Sequence, residues 1–368
     1  MEIRSVEAIP LSIPFEVRSR LPAWRGREFG ALEVLLVKVT TADGIVGWGE
    51  AFSYACQAPV CAAIDHMVAP LAVGRDSRRI TATLHDLQRL LHIYGRYGIL
   101  NFALSGLDIA LWDIAGKRAG LPVADLIGGA STQQVAAYAS LFRFDDPDLV
   151  AEAARAAVAD GYQSLKVHTR GSTDVGAVRG VIGQDVPLMV DTNCHETPVA
   201  AQRLAMALKA YDIRWLEEPI YPPENLQALR ALREASGMAL ALGENACTAH
   251  EFHKILTAGA ATYVQPSVAK VGGITEFRKV AALAEVHGAE LAPHSTYFGP
   301  GFLATLHLIA SQPAPEKLAI EHFVVGLEAE LYESAGRVVR GSVALPTGPG
   351  LGADPLPEVI KEYRKRQE

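Results

Sequence analysis

Three acidic residues each end a short apolar segment and could together form a carboxylate cluster. Asp191, Glu217 and Glu244 end the apolar segments PLMVD, IRWLE and LALGE. If these segments are neighbouring parallel strands, the carboxylates meet at one edge and repel one another unless a divalent cation lies between them. Ligation by oxygen, without Cys or His, favours Mg²⁺ over zinc. The alternative is that each acid caps the helix that follows it or pairs with a surface lysine.

A lysine and a histidine share one face of another segment. Lys166 and His168 are two residues apart in SLKVH, so on a strand both side chains leave the same face. Beside a metal, the ammonium can hold a substrate carboxylate and a neutral imidazole can accept a proton. We expect Lys166 to keep His168 neutral. A merely solvated lysine fits poorly here, because a face inside the protein offers it no water.

Further polar residues complete the candidate site. His294, in LAPHST, could act as a general acid from the opposite side, or it could be a core histidine bonded to a backbone carbonyl. Glu321, in LAIE, could hydrogen-bond an enolate oxygen when protonated, or could pair with a nearby cation. Asn193 and Lys270 are expected to orient the metal-binding carboxylates.

The elements that must position these residues recur along the chain. Short apolar segments end every 23 to 27 residues, at His168, Asp191, Glu217, Glu244, Ser267, His294 and Glu321, with alanine-rich helical stretches between them. VAAYAS at 135–140 supplies a first strand. Such βα repeats predict an α/β fold, a (β/α) barrel of the modified TIM type, (β/α)7β, with its chemistry at the carboxyl ends of the strands. An open doubly wound sheet is disfavoured, because no strand-to-helix turn carries GxGxxG.

The N-terminal third has a different pattern. Alternating strands in MEIRSVEAIPLSIP and ALEVLLVKVTTADGIVGWGEA are joined by a turn signal at Asp43-Gly44. Helical periodicity follows from about Ala62 to Ala119, with Gly120 as the expected end. We therefore predict a separate α+β domain over 1–129 and a barrel over 130–325.

Composition excludes several classes of protein. The 368 residues carry 34 Lys+Arg against 41 Asp+Glu, a net charge of -7, with no basic stripe for nucleic acid. No signal-like start and no apolar run of membrane-spanning length is expected, so we predict a cytoplasmic protein without a membrane partner. The cysteines form no CxxC pair and are interpreted as reduced thiols: Cys56, Cys61, Cys194 and Cys247.

Over essentially its whole length the chain resembles the enolase superfamily, within it the mandelate racemase and muconate lactonizing enzyme group. The resemblance is carried by GWGEA (47–51), ALSGLDIALWDIAGKRAG (103–120), KVH (166–168), VDTN (190–193), LEEP (216–219), LGEN (242–245), KVGG (270–273) and GPGLG (348–352). It implies Mg²⁺ bound by Asp191, Glu217 and Glu244, and abstraction of an α-proton to give a metal-stabilised enediolate. It also implies a capping domain completed by the C-terminal segment 326–368.

Two departures from the family pattern bear on the reaction. The usual Lys-x-Lys is Lys166-Val167-His168 here. Ser267 stands where a racemase-like member carries Asp and a muconate-lactonizing member carries Lys. Without that Asp, we expect His294 to be less well oriented.

These residues favour one reaction and leave others open. We predict a lyase, an acid-sugar dehydratase acting on a small-molecule carboxylate, with His168 as base and His294 as acid. The alternatives are a racemase or epimerase, a lactone cycloisomerase, and a non-catalytic homologue. Trp24, Arg25 and Tyr54 are candidate substrate-binding residues on the capping loops, and a homo-oligomer is expected.

Overall fold

The structure is a computed structural model that describes residues 1–16 and 30–365, together with the backbone of 23–24 and 27–28. Its N-terminal sheet is antiparallel. Strand β1 (Ile3–Glu16) is followed by the short pair β2 (Ala23–Trp24) and β3 (Arg27–Glu28). Then β4 (Ala31–Thr41) pairs with both β1 and β5 (Val46–Ala51). The predicted turn before β5 is confirmed, and Gly44 adopts a φ of +87°, which glycine tolerates because it lacks a Cβ.

Helices pack against this sheet, and the longest of them is apolar. The helices are α1 (Gln57–Ala63), α2 (Ala69–Ala72), α3 (Ile80–Leu90), α4 (Ile99–Ala119) and α5 (Val123–Leu126), with a π-helical turn at Ile64–Val68 and a 3-10 turn at His92–Tyr94. Helix α4 ends at Gly120 in the left-handed conformation, as predicted. Our expectation of no membrane-length apolar run was wrong, because α4 is long and apolar enough to cross a membrane. Its most apolar window is 83% buried within the protein, so these residues form core.

Eight parallel strands and seven connecting helices form the barrel, which confirms the predicted (β/α)7β fold. The strands are β6 (Gln134–Leu141), β7 (Leu165–His168), β8 (Leu188–Asp191), β9 (Ile213–Glu217), β10 (Leu240–Leu242), β11 (Tyr263–Val264), β12 (Glu290–Leu291) and β13 (Ala319–Phe323). The helices between them are α6 (Pro147–Ala159), α7 (Ser172–Ile182), α8 (Pro198–Leu208), α9 (Leu226–Ser236), α10 (Thr248–Thr257), α12 (Gly273–His287) and α13 (Pro300–Ala310), with the short α11 (Val268–Val271) before α12. Neighbours in the sheet follow chain order, and β13 returns to pair with β6.

Not every strand ends where the sequence predicted. Strands β7, β8 and β9 end at His168, Asp191 and Glu217. Glu244 and His294 lie beyond the last ladder residues of β10 and β12, whereas Glu321 lies inside β13. Glu244 and His294 are therefore placed by loop contacts, and loop contacts also help to close the barrel between β12 and β13. For example, Ser295 joins β12 to β13 by donating from its hydroxyl to the Glu321 carbonyl oxygen at 2.9 Å.

The barrel interior is packed with large side chains. One buried cluster consists of Tyr138, Met189, Trp215, Ala241, Tyr263 and Ala292. The polar residues Asp191, Glu217 and His294 each lie two positions further along the chain than a member of this cluster. Side chains alternate along a strand, so these residues share the inward face and lie closer to the mouth.

Residues after 325 contact both parts of the chain. Strand β14 (Gly326–Leu327) pairs with the end of β1, and the hairpin of β15 (Val338–Val339) and β16 (Ser342–Ala344) pairs with the start of β6. Helix α14 (Pro357–Tyr363) packs against β1. The C-terminal stretch therefore joins the N-terminal sheet to the barrel.

Candidate active site

Three carboxylates converge at the mouth of the barrel. One oxygen from each of Asp191, Glu217 and Glu244 lies within 4.8 Å of the other two. Asp191 and Glu217 are completely buried, whereas the Glu244 side chain is 14% exposed. This spacing of hard oxygen donors suits a single divalent cation that keeps open positions for other ligands.

Lys166 is the buried cation of this cluster. Its Nζ lies 2.7 Å from Glu217 Oε1, 2.7 Å from Glu321 Oε1 and 3.7 Å from Asp191 Oδ2. Burial alone lowers the pKa of Lys166, but Glu217 and Glu321 outweigh it and hold the pKa well above its ordinary value. Lys166 therefore stays charged inside the barrel.

One ammonium does not balance the surrounding acids. Lys166 contacts three carboxylates, those of Asp191, Glu217 and Glu321, and Glu244 adds a fourth negative charge near Glu217. Burial raises the pKa of Glu217 well above its usual range, and the other three carboxylates add to the rise while Lys166 opposes it. A divalent cation would compensate this surplus negative charge, so the residues present fit a metal.

His168 lies between a backbone carbonyl and a carboxylate. Its Nδ1 is 2.7 Å from the Leu141 carbonyl oxygen, which can only accept, so Nδ1 carries a hydrogen and Nε2 is the ring nitrogen left to take up or release a proton. Nε2 lies 3.2 Å from Asp191 Oδ2. Burial raises the pKa of Asp191, but His168 and Lys166 outweigh it, so the pKa falls below its ordinary value. The charged group in contact with His168 is thus Asp191, while Lys166 is engaged by glutamates.

His294 has an orienting partner that the sequence did not predict. Its Nδ1 is 3.1 Å from Ser267 Oγ, and Ser267 Oγ is hydrogen-bonded to Tyr297 Oη. When Ser267 donates to Nδ1, the hydrogen of the neutral ring is on Nε2, which faces Glu244 Oε2 at 3.3 Å. Burial lowers the pKa of His294 despite the opposing effect of Glu321 and Glu244. A serine hydroxyl therefore occupies the place of the missing Asp, which corrects our expectation of a poorly oriented His294.

Neighbouring side chains hold the carboxylates in place. The backbone N–H and Nδ2 of Asn193 donate to the two oxygens of Asp191 at 2.7 and 3.0 Å. Lys270 acts indirectly, because its Nζ donates to Asn245 Oδ1 at 3.4 Å and Asn245 Nδ2 donates to Glu244 Oε1 at 3.1 Å. Such outer contacts fix ligand orientation before a metal binds.

Glu321 is ion-paired in this structure. One oxygen contacts Lys166, and the other accepts a hydrogen bond from the Ser295 backbone N–H at 3.3 Å. Burial raises the pKa of Glu321, but Lys166 and His294 outweigh it and lower the pKa to about 2. Of the two roles considered for Glu321, pairing with a cation is the one present here.

Two buried acids of the N-terminal part bind the starts of barrel helices. Glu50 Oε2, in GWGEA, accepts from the Gly301 backbone N–H at 2.8 Å, at the start of α13. Asp108 Oδ1, on α4, accepts from the Thr275 backbone N–H at 3.0 Å, at the start of α12. Burial raises the pKa of each of these acids to about 7. Helices α12 and α13 follow the loops that carry Ser267 and His294, so these carboxylates fix loops of the site.

Of the three predicted substrate-binding residues, the structure describes the side chain of Tyr54 alone. Tyr54 Oη donates to the carbonyl oxygen of Thr296 at 2.6 Å, two residues after His294. Arg25 and the side chain of Trp24 lie outside the described residues. The structure therefore brings Tyr54 to the His294 loop, and its contact with substrate stays a prediction.

Four residues near the site were missed in the sequence. Trp215 donates from Nε1 to Glu217 Oε2 at 3.0 Å, and its position two residues before Glu217 could have revealed it. Gln265 is fully buried, and neither of its amide atoms has a hydrogen-bond partner among the described residues. Tyr297 and Arg143 are brought in by loops, which leave no periodic signal in sequence.

Comparison with known proteins identifies the family. Residues 148–359 match the enolase C-terminal domain-like family, and residues 28–128 match the mandelate racemase / muconate lactonizing enzyme N-terminal domain family. The chain belongs to the mandelate racemase and muconate lactonizing enzyme group of the enolase superfamily, as the sequence resemblance suggested. It is an enzyme of the enolase superfamily with an N-terminal domain and a C-terminal barrel.

Individual relatives fall into two reaction classes. The chain is 35% identical to the 3,6-anhydro-alpha-L-galactonate cycloisomerase of Streptomyces coelicolor over 87% of this chain and 88% of that protein. It is 30% identical to the arabinonate dehydratase of Saccharolobus solfataricus over 90% and 91% of the two chains. The structure of the 3,6-anhydro-D-galactonate cycloisomerase from Zobellia galactanivorans superposes with a TM-score of 0.85 at 26% identity and covers all of both chains.

Proposed function

We propose that this protein is a Mg²⁺-dependent acid-sugar dehydratase. The observation that carries the proposal is the placement of two imidazoles beside one carboxylate triad. His168 Nε2 contacts Asp191 and His294 Nε2 contacts Glu244, so a substrate bound between them meets a group able to accept a proton and another able to donate one.

The metal would be held by Asp191, Glu217 and Glu244. When bound, Mg²⁺ supplies positive charge that stabilises a substrate carboxylate as it gains negative charge. Lys166, already charged and buried, lies beside the same position and would bind the other side of that carboxylate.

The chain's own residues account for the proton transfers. His168 Nε2 takes the proton from the carbon next to the carboxylate, and the electrons of that C–H bond form the enediolate. The enediolate then expels the β-hydroxyl, which leaves as water with the proton from His294 Nε2. The resulting enol rearranges to a 2-keto-3-deoxy acid. Ser267 keeps the proton of neutral His294 on Nε2, where the leaving oxygen needs it.

The second candidate is cycloisomerisation, favoured by relatives that are named cycloisomerases. The same two proton transfers would catalyse cycloisomerisation if the leaving β-oxygen belongs to a ring. In that case the ring opens, no water is lost, and the product is an isomer of the substrate.

Proton NMR in D₂O with Mg²⁺ and a panel of acid sugars, lactones and anhydro acids tests the proposal. We expect a 2-keto-3-deoxy product from an open-chain acid, abolished in His168→Asn and retained in His250→Asn, a matched control at an exposed histidine of α10. A product formed only from cyclic substrates would favour the cycloisomerase. Deuterium incorporation with inversion and no loss of oxygen would show a racemase and refute both.

We further propose that the chain works as a capping domain over 1–129, a barrel over 130–325 and a C-terminal segment over 326–368. The contacts of β14 and α14 with β1 support this division. None of the four cysteines is in a disulfide, which suits the reducing cytoplasm. Light scattering after size-exclusion chromatography tests the expected homo-oligomer.

A further inference from the structure

An arginine is linked to the carboxylate triad on the His168 side of the mouth. Arg143, two residues after β6, donates from Nη2 to Asn193 Oδ1 at 2.6 Å. Asn193 in turn donates from Nδ2 to Asp191 Oδ2 at 3.0 Å. The guanidinium is thus separated from a proposed metal ligand by a single side chain.

Among the described residues, Arg143 has no acidic ion-pair partner. Its Nε is buried without a hydrogen-bond partner, and within residues 1–16 and 30–365 no carboxylate oxygen lies within 4.0 Å of it in an ion pair. Burial and the nearby charge of Arg170 lower the pKa of Arg143, while Asp191 and Asp145 oppose this. Arg170 carries a second positive charge, so it repels the Arg143 guanidinium and cannot compensate its charge.

Arg170 comes from the loop after the next strand, β7, and is exposed. It also forms no ion pair with a described carboxylate. Two guanidinium groups without carboxylate partners, at the mouth of a site, attract anions, and the planar fork of arginine matches a carboxylate or a phosphate in two hydrogen bonds. Neither group is required for the proton transfers described above.

We propose that Arg143, assisted by Arg170, binds a second anionic group at the distal end of the substrate, so that the substrate is a sugar acid with a further carboxylate or a phosphate. This inference rests on the proposed function in one respect, namely that the reacting carboxylate lies at Lys166 and the metal site. The distal anion then lies over Asn193, on the side of His168.

Binding measured without turnover tests the inference. The protein is His168→Asn with Mg²⁺, and the probes are gluconate, glucarate and 6-phosphogluconate, which differ only at C6. Isothermal titration should show that at least one of the two doubly anionic acids binds ten or more times more tightly than gluconate. Which of them does so identifies carboxylate or phosphate as the distal group.

Further variants in this background assign the preference to the arginines. Arg143→Ala should reduce the preference for the doubly anionic acid over gluconate to within twofold. Arg170→Ala should reduce this preference at least threefold. Arg155→Ala, a control at an exposed arginine of α6, should preserve it. If Arg143→Ala does not fold, Arg143→Gln provides the same comparison.

Three results would overturn the inference. They are equal affinity for the three acids in the His168→Asn parent, an unchanged preference in either arginine variant, and an equal loss of affinity for all three acids in Arg143→Ala. The last is the result for an arginine that only positions Asn193. Because no chemistry is measured, failure here leaves the dehydratase proposal to be judged separately by NMR.

Discussion

Replacing Glu50 by Gln should flatten the pH dependence of stability. Glu50 is 3% exposed, and burial raises its pKa from 4.5 to about 7 in the folded chain. An acid with a raised folded pKa favours folding most below its unfolded pKa, and stability is lost as pH rises through the folded value. From these two pKa values, the wild type should lose about 2.5 kcal/mol relative to Glu50→Gln between pH 5 and pH 8.

Comparing the stability difference between wild type and Glu50→Gln at two pH values isolates the contribution of the Glu50 proton. The glutamine adds a buried amide whose cost is unknown, but that cost is the same at both pH values and cancels. The measurement is urea unfolding of both proteins at pH 5, 6, 7 and 8, with the free energy of unfolding compared at each pH. The control is Glu152→Gln, at an exposed carboxylate of α6 that stays in water in both states.

Two results would refute this reasoning. A stability difference between Glu50→Gln and wild type that is constant from pH 5 to pH 8 would mean that folding does not raise the pKa of Glu50. A difference that moves in the opposite direction would mean that the start of α13 binds the carboxylate strongly enough to outweigh its burial.

Three further substitutions give distinct outcomes. Lys166→Met leaves Glu217 and Glu321 without their ammonium partner, so urea unfolding should show that the free energy of unfolding falls by about 3–5 kcal/mol and that Mg²⁺ partly restores it. An unchanged free energy of unfolding would contradict the ion pairing. Gln265→Met removes a buried amide that has no hydrogen-bond partner in the described part of the chain, so it should stabilise the fold by about 1–3 kcal/mol while lowering activity. A lower melting temperature would show that the amide has partners after all. Ser267→Ala should lower kcat by roughly 10- to 100-fold with KM within threefold in steady-state assays of the proposed dehydration; an unchanged kcat would exclude a role for the hydroxyl in orienting its imidazole partner.

The fold and part of the site follow from local sequence patterns. Lys166, Asp191 and Glu217 lie on strands long enough to show alternation, so their inward direction could be predicted from sequence alone. Glu244 lies beyond the last ladder residue of β10, and its position depends on loop contacts. The ends of β7, β8 and β9 could be predicted because each apolar run changes there to an ionisable residue.

The contacts between loops could not be predicted in this way. Tyr297 reaches Ser267 from a loop 30 residues further along the chain, and Arg143 reaches Asn193 across the intervening strand β7. Neither contact follows from a repeat period, because loops carry no fixed direction for their side chains. Helix α4 shows a related limit, since hydropathy does not distinguish a membrane span from a core helix.

The position of β1 also determines when it can be completed during synthesis. Its end pairs with β14, so that Glu16 lies opposite Gly326, and the Lys365 backbone N–H donates to the Pro10 carbonyl oxygen at 2.9 Å. About 310 residues separate Glu16 from Gly326, which at ribosomal rates of about 5–20 residues per second corresponds to roughly 15–60 s. Throughout that interval this stretch of the first strand presents backbone groups without their final partners, the condition under which edge strands associate between chains. Nascent chains should therefore depend on chaperone protection until Gly326 and Leu327 have left the exit tunnel.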